Sequence, residues 1–192
     1  MSASLLLARL KGEPVNRTAK VGGRSKGNDC YLTPDSFLAV LREMGPIELD
    51  PAGSEAGSFV KPAREYRLDR GEDGLALPWK VKMGALVYCN PPYSQTRKWV
   101  EKADAEHAKH LSEIILLVAA RTDTIATQAM KAKCVCFWKG RITFIDPITK
   151  QPPLDKHGKP AGAMFPSMML YYGLREPRFR EVFEPHGKVV RW

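Results

Sequence analysis

Paired cysteines are missing from this 192-residue chain: no CxxC pair occurs. Its four cysteines, Cys30, Cys89, Cys134 and Cys136, are too scattered for a disulfide scaffold at this length, and free thiols in a reducing compartment account for all of them. Cys134 and Cys136 alternate in an apolar run and so point to one side of a strand. His107 and His110 stand three apart on a predicted helix and are the nearest thing to a zinc set with those two thiols. Separated Cys and His residues are usually core and surface, so no metal is expected. Long apolar runs are also missing. The longest, IILLVAA at 114–120, has the length of a strand and not of a membrane span. The opening MSASLLLARLKGEP lacks a basic residue before its apolar patch and a clear cleavage site, so it is not read as a signal peptide, and a cytoplasmic protein is expected. There is no internal repeat and no second core. An acidic excess is missing too: 30 Lys+Arg against 21 Asp+Glu leave a net charge of +9. That balance favours a polyanionic partner, nucleic acid first and an anionic membrane second.

With 44% hydrophobic residues, the chain has enough apolar material for one domain with a real core. Residues 1–28 carry Lys11, Arg17, Lys20, Arg24 and Lys26 in a Gly-containing stretch with little hydrophobic pattern. They read as a flexible basic arm able to lie along phosphates, ahead of a single domain at 29–192. In that domain Thr33 is expected to cap a helix with Pro34 at its first position, Asp35 in its first turn and Phe37, Leu38, Leu41 and Met44 on one face, closed by Gly45. IELDP at 47–51 and ALVYC at 85–89 read as strands, with a weaker one at 65–69 and turn chemistry at Asp73-Gly74. Ser94 is expected to cap a helix that turns Trp99, Val100, Ala103 and Leu111 inward. EIILLVAA at 113–120 reads as the core strand. Thr122 is expected to cap a helix to about Lys133, with Ile125, Ala126 and Ala129 on one face. CVCFW and RITFI within 134–145 and SMMLYYG at 167–173 read as strands, with a surface excursion at 147–163.

Strands alternating with helices predict an α/β fold with a mostly parallel sheet, and the last two strands, lacking a helix between them, predict an antiparallel hairpin at one edge. In such sheets ligands bind at the carboxyl ends of strands. Two strand ends carry unusual chemistry: Asp50-Pro51, and Asn90-Pro91-Pro92-Tyr93. The two prolines remove two donors and fix two φ angles, so the second end is a stiff bend carrying an amide, a carbonyl and a ring. A carboxylate at the first end can receive hydroxyls or an ammonium group. The amide and carbonyl of the second can receive an NH2 group.

LDPAGS at 49–54 followed by CNPPYS at 89–94 resembles the S-adenosylmethionine-dependent amino-methyltransferases. More closely, the chain resembles the phage-type DNA N-6-adenine methyltransferase family. The matching pieces are YLTP at 31–34, LDPA at 49–52, EDGLALPW at 72–79, NPPYS at 90–94, KWVEKA at 98–103, ARTDT at 120–124, GRITF at 140–144 and FPSMML at 165–170. They stand in the family's order over residues 29–172. NPPY alone also occurs in methyltransferases of protein glutamine and RNA bases; the ordered set is the more specific signal.

The resemblance implies a Rossmann-like methyltransferase fold, with about seven strands and a reversed C-terminal hairpin, and S-adenosyl-L-methionine as cofactor. It implies that Asn90 and Pro91 accept the hydrogens of adenine's exocyclic amine, that Pro92 fixes the bend, and that Tyr93 stacks on a base flipped from duplex DNA. Asp50, Pro51 and Ala52 match the cofactor-binding strand end, where this chain departs from the usual glycine loop by running Gly53-Ser54-Glu55-Ala56-Gly57, and Asn90 is a further candidate for cofactor contact. Asp73 and Leu75 are candidates for the cofactor's adenine end, Thr33 and Pro34 for its methionine end. Asp73-Gly74 also makes sense as a simple turn, and Thr33 as a helix cap. Lys20, Arg24, Lys26, Arg121, Lys150, Lys156 and Lys159 are candidates for DNA contact; for Arg121 and Asp123 the alternative is that they pin a turn, the role favoured for Asp123. The span from Asp50 to Asn90 has no room for a separate recognition domain, so a short target sequence or loose specificity is expected. Family resemblance further suggests protection of phage DNA from restriction, in a bacterial host cytoplasm. An RNA base or a protein glutamine as substrate, and a catalytically inactive nucleic-acid-binding protein, are the alternative readings.

Overall fold

Seven consecutive residues, Glu113–Ala119, are all buried and form strand β4 at the centre of the sheet. An apolar strand with no polar face needs cover on both sides. Ile115 and Leu117 point to one core, while Ile114, Leu116 and Val118 point to the other. The computed structural model describes residues 31–55, 57 and 59–192. The basic arm, with Lys20, Arg24 and Lys26, therefore lies outside the described residues.

The described strands are β1 (Ile47–Asp50), β2 (Arg64–Glu65), β3 (Leu86–Cys89), β4, β5 (Cys134–Trp138), β6 (Ser167–Tyr172) and β7 (Gly187–Arg191). They form one sheet in the order β2-β1-β3-β4-β6-β5-β7. Pairing is parallel from β2 through β4 and antiparallel from β4 to β7. One face is covered by helices α1 (Asp35–Arg42) and α4 (Glu176–Phe183), through Phe37, Leu38, Leu41, Phe179 and Phe183. The other is covered by α2 (Thr96–His110) and α3 (Ile125–Ala129), through Trp99, Val100, Ala103 and Ala126. Cys134 and Cys136 do share one face, that of α1 and α4. Among the described residues no helix is long and apolar enough to cross a membrane, and no three metal-ligating side chains cluster.

Several local expectations are corrected by tertiary contacts. Helix α1 starts at Asp35 with Pro34 at the cap position, because the Thr33 hydroxyl is taken by Tyr88 instead of capping. Ser94 lies in a 3-10 turn, Tyr93–Gln95, and α2 begins at Thr96, whose hydroxyl donates to the Tyr93 carbonyl at 2.9 Å. Leu111 is exposed: it closes α2 in the left-handed conformation, φ 53°, and so leaves the buried face. Thr124, not Thr122, caps α3 by accepting from the Thr127 N–H at 3.4 Å. That helix ends at Ala129, with Ala126 buried but Ile125 and Ala129 exposed. The strand expected at 65–69 shrinks to β2, followed by a 3-10 turn at Leu68–Arg70. RITFI makes only one bridge, Ile145 to Leu32, because both edges of β5 are occupied, by β6 and β7. The antiparallel pairing of β5 with β6 is present, but not at the edge. Strand β6 slots between β4 and β5, and β7 forms the edge.

Candidate active site

Strands β1 and β3 are parallel neighbours, so their carboxyl ends meet as the sequence anticipates. Above them opens a cleft of about 660 Å³. Thr33, Asp50, Pro51, Ala52, Asp73, Asn90 and Pro92 line it. Pro34, Leu75, Pro91 and Tyr93 do not. Pro34 sits at the start of α1, Pro91 is buried, and Leu75 packs against the core beneath α2. Tyr93 lies partly exposed with its ring edge-on to Phe144, centroids 6.3 Å apart.

Asn90 has a defined orientation. Its Nδ2 donates to the Tyr31 carbonyl at 3.2 Å. A carbonyl only accepts, so the NH2 side of the amide must face Tyr31. The other side, Oδ1, is therefore the acceptor. It is buried and has no hydrogen-bond partner among the described residues. Burying an acceptor without a donor is costly unless a ligand supplies one. The Tyr31 carbonyl is held in place by the two residues that follow it. Leu32 exchanges two backbone hydrogen bonds with Ile145, each 2.9 Å, and Thr33 meets Tyr88 at 2.8 Å.

Asp50 ends β1 as a buried carboxyl. Burial pushes its pKa up to about 7; the hydrogen bond it accepts from the Ala52 N–H opposes that rise, and the nearby Glu65 charge adds to it. Ala52 donates at 3.0 Å, so the turn after β1 folds onto the carboxylate. The turn is then fastened to the sheet edge by the Gly53 N–H, which donates to the Tyr66 carbonyl at 3.0 Å.

The second wall is the loop Glu72–Trp79. The Asp73 carboxylate accepts from the Leu75 N–H at 2.9 Å, which makes the turn. Gly74 presses on the first wall: a Cβ there would lie 1.9 Å from the Pro51 carbonyl oxygen, so no other residue fits. Trp79 clamps the loop from below. Its indole donates to the Gly74 carbonyl at 2.7 Å, its backbone N–H donates to buried Glu106 at 2.7 Å, and its ring stacks on Trp99 at 5.9 Å.

Five carboxylates line the cleft, from Asp50, Glu55, Asp69, Glu72 and Asp73, and among the described residues no Lys or Arg lines it, although Arg67 pairs with Asp69 from outside the lining. In a chain of net charge +9 that local reversal marks the cleft for a cationic guest. Tyr31, Tyr66, Tyr88, Trp99 and Ile148 are lining residues that sequence reasoning missed. For Tyr31 the functional atom is a backbone carbonyl, which leaves no signature in the sequence. Glu72 had a signal, since it stands directly before Asp73 in EDGL.

Among the described residues, the cationic candidates do not line this cleft. Lys150, Lys156 and Lys159 are exposed on the 146–163 excursion, whose Pro147 and Ile148 reach back to line the cleft. Arg121 is exposed just after β4, with its guanidinium 5.5 Å from the Phe165 ring centroid. Its carbonyl also accepts from the hydroxyls of Thr124 and Thr127, at 3.0 and 2.8 Å, so the turn after β4 is pinned by Arg121's backbone and those two threonines.

Seven described strands between two helical layers, with an acidic cleft where two parallel strands end, define an α/β protein whose cleft lies at the carboxyl edge of the sheet, the edge where such folds bind ligands. The chain belongs to the DNA N-6-adenine-methyltransferase (Dam) family, whose model matches residues 23–179. Neither the curated proteins nor the solved structures gave a match.

Proposed function

We propose that this chain transfers a methyl group from S-adenosyl-L-methionine to the exocyclic N6 of adenine in DNA, on a Rossmann-like methyltransferase fold. The observation that carries the proposal is the buried Oδ1 of Asn90 at the end of β3, aimed by the Tyr31 carbonyl and without a partner among the described residues. When bound, the cofactor supplies an electrophilic methyl on a positively charged sulfonium, with a neutral thioether to leave. The donor set fits such a guest. Five carboxylates, of which Asp69 is paired with Arg67, suit a molecule carrying sulfonium and ammonium charges. Asp50 and Asp73 would hold its hydroxyls and cationic groups, and Thr33 and Ala52 would border its methionine end. Trp99 and Tyr66 offer apolar surface to its ring.

Asn90 Oδ1 and the Pro91 carbonyl accept the two amine hydrogens of the target adenine. Held this way, the nitrogen lone pair turns out of conjugation with the ring. Pro91 and Pro92 keep the two acceptors in fixed relation, so little order is lost when the base arrives. The partly exposed ring of Tyr93, backed by Phe144, takes the face of the base. The amine's extra proton is released to solvent after bond formation, so no strong base is needed. An adenine inside a duplex cannot reach this bend, so the target is flipped out. Lys150, Lys156, Lys159 and Arg121, with Lys20, Arg24 and Lys26 of the arm, meet the phosphates. With no room for a recognition domain between Asp50 and Asn90, the target sequence is short or loosely specified.

The test is transfer of labelled methyl from S-adenosylmethionine to unmethylated duplex DNA, with the modified nucleoside identified by mass spectrometry. N6-methyladenine is expected. Label in RNA or protein only, or no label in any of the three, overturns the proposal.

A further inference from the structure

Two large apolar side chains stand in solvent at the same edge of the sheet as the cleft. Met164 is 85% exposed and Phe165 is 42% exposed. They precede β6, whose first residue, Ser167, pairs with Ala119 at the carboxyl end of β4. The Ser167 side chain also neighbours the Tyr93 phenol, whose pKa is raised by burial and lowered by that neighbour. The apolar pair is therefore two to three residues along the chain from a side chain beside the Asn90–Tyr93 bend.

Neither residue is loose. Arg141 donates to the Met164 carbonyl at 3.0 Å, and the Arg121 guanidinium lies over the Phe165 ring. The Ala120 N–H donates to the Pro166 carbonyl at 2.7 Å, and the Ala163 N–H donates to the Ile142 carbonyl at 2.8 Å. Backbone bonds thus fix the segment on both sides of an exposed pair. Both guanidiniums carry charge to the rim of that pair, and neither is recorded in an ion pair with a carboxylate among the described residues. Exposed apolar bulk rimmed by cations suits a partner with a polyanionic surface and an apolar interior. A nucleic-acid duplex has that character where its bases part.

We infer that Met164 and Phe165 form a wedge that enters the base stack of duplex DNA and fills the gap left by the extruded adenine, while Arg121 and Arg141 hold the flanking phosphates. The inference rests on the methyltransferase reading above. The wedge stabilises the flipped state by replacing the stacking that the adenine gave up. It leaves the methyl-transfer groups untouched. Its effect is therefore confined to substrates in which a stacked, paired base must be removed.

The experiment first maps an adenine that the wild-type enzyme methylates. It then compares two duplexes of that sequence, one fully paired and one with an abasic site opposite the target. Met164→Ala/Phe165→Ala is expected to lower the rate on the paired duplex about tenfold or more, and to leave the abasic duplex within about twofold of wild type, since an unpaired base costs less to extrude. Activity on the abasic duplex also shows that the variant is folded. Met164→Leu/Phe165→Leu, which keeps apolar bulk, is expected to retain the paired-duplex rate. An unchanged paired-duplex rate in the double alanine variant overturns the wedge, as does an equal loss on both duplexes. A wild-type enzyme that methylates no DNA at all overturns the underlying functional reading, and the wedge with it.

Discussion

The Thr33 hydroxyl and the Tyr88 phenol meet at 2.8 Å inside the protein. Tyr88 belongs to β3, two residues before Asn90, and Thr33 lies two residues after Tyr31. This one bond ties together the two segments whose backbone and side chain meet again at Asn90 and Tyr31. Thr33→Val keeps the shape and removes the partner, leaving the Tyr88 hydroxyl buried and unpaired. A loss of about 1–3 kcal/mol is expected in denaturant unfolding. Tyr88→Phe in the Thr33→Val background should recover most of it, because both polar groups are then gone. A double variant as unstable as the single one would contradict the account.

Asp50 gives the protein a specific pH dependence. Its carboxyl titrates near 7 in the fold, against 3.8 for an ordinary aspartate. Between those values the folded state holds a proton that the unfolded state has lost. Stability should therefore fall as pH rises from about 4 to 7 and level off above it. Asp50→Asn should flatten that slope and gain on wild type at pH 8, with no such gain at pH 4. Binding of a cationic cofactor has the opposite sense, since it requires the carboxylate. Affinity for S-adenosylmethionine should weaken by up to about tenfold per unit as pH drops below 7, and the Asn variant should lose that dependence. Calorimetric titration of both proteins at pH 6, 7 and 8 checks it.

Gly74 is the point where the two walls of the cleft touch. Gly74→Ala forces a methyl onto the Pro51 carbonyl, and backbone on both sides cannot yield without opening the cleft. The expected cost is about 1–3 kcal/mol of stability, together with weakened cofactor binding. Equilibrium unfolding and cofactor titration of the same preparation separate the two effects. A variant as stable as wild type, with unchanged affinity, would show that the walls do not meet as described.

Lys150, Lys156 and Lys159 project from the excursion that also lends Ile148 to the cleft. Each lysine that meets a phosphate contributes roughly one unit to the slope of log affinity against log salt. The triple Ala variant should bind duplex DNA more weakly at low salt and with a shallower slope, while binding S-adenosylmethionine as wild type does. An unchanged slope would move the phosphate contacts elsewhere, to the arm or to Arg121.

The parts of the fold that could be read from the chain are those governed by local pattern. Buried runs marked β3, β4, β5 and β6, and the proline bend after Cys89 marked a strand end. Tertiary competition hid the rest. Thr33 looks like a cap by every local rule, yet a buried tyrosine claims its hydroxyl. Ile142 and Phe144 alternate and are both buried, as in a strand, but both sides of the preceding strand β5 are taken by β6 and β7. In residues 174–192 the helical spacing of Phe179, Val182 and Phe183, which pack as α4, is a faint signal among charged neighbours. In β7 only Val189 is fully buried, so that edge strand has little pattern to see. At the site, the side chains at the ends of β1 and β3 were readable, whereas the carbonyl that orients Asn90 was not.

The central claim is that Asn90 supplies an acceptor to the target amine, and Asn90→Ala tests it most directly. The measurement is the rate of N6-methyladenine formation in duplex DNA at saturating S-adenosylmethionine, with cofactor affinity determined on the same variant. The account predicts a rate lower by about a hundredfold or more, with the cofactor still bound within a few-fold of wild type. A variant that forms N6-methyladenine at the wild-type rate would contradict it.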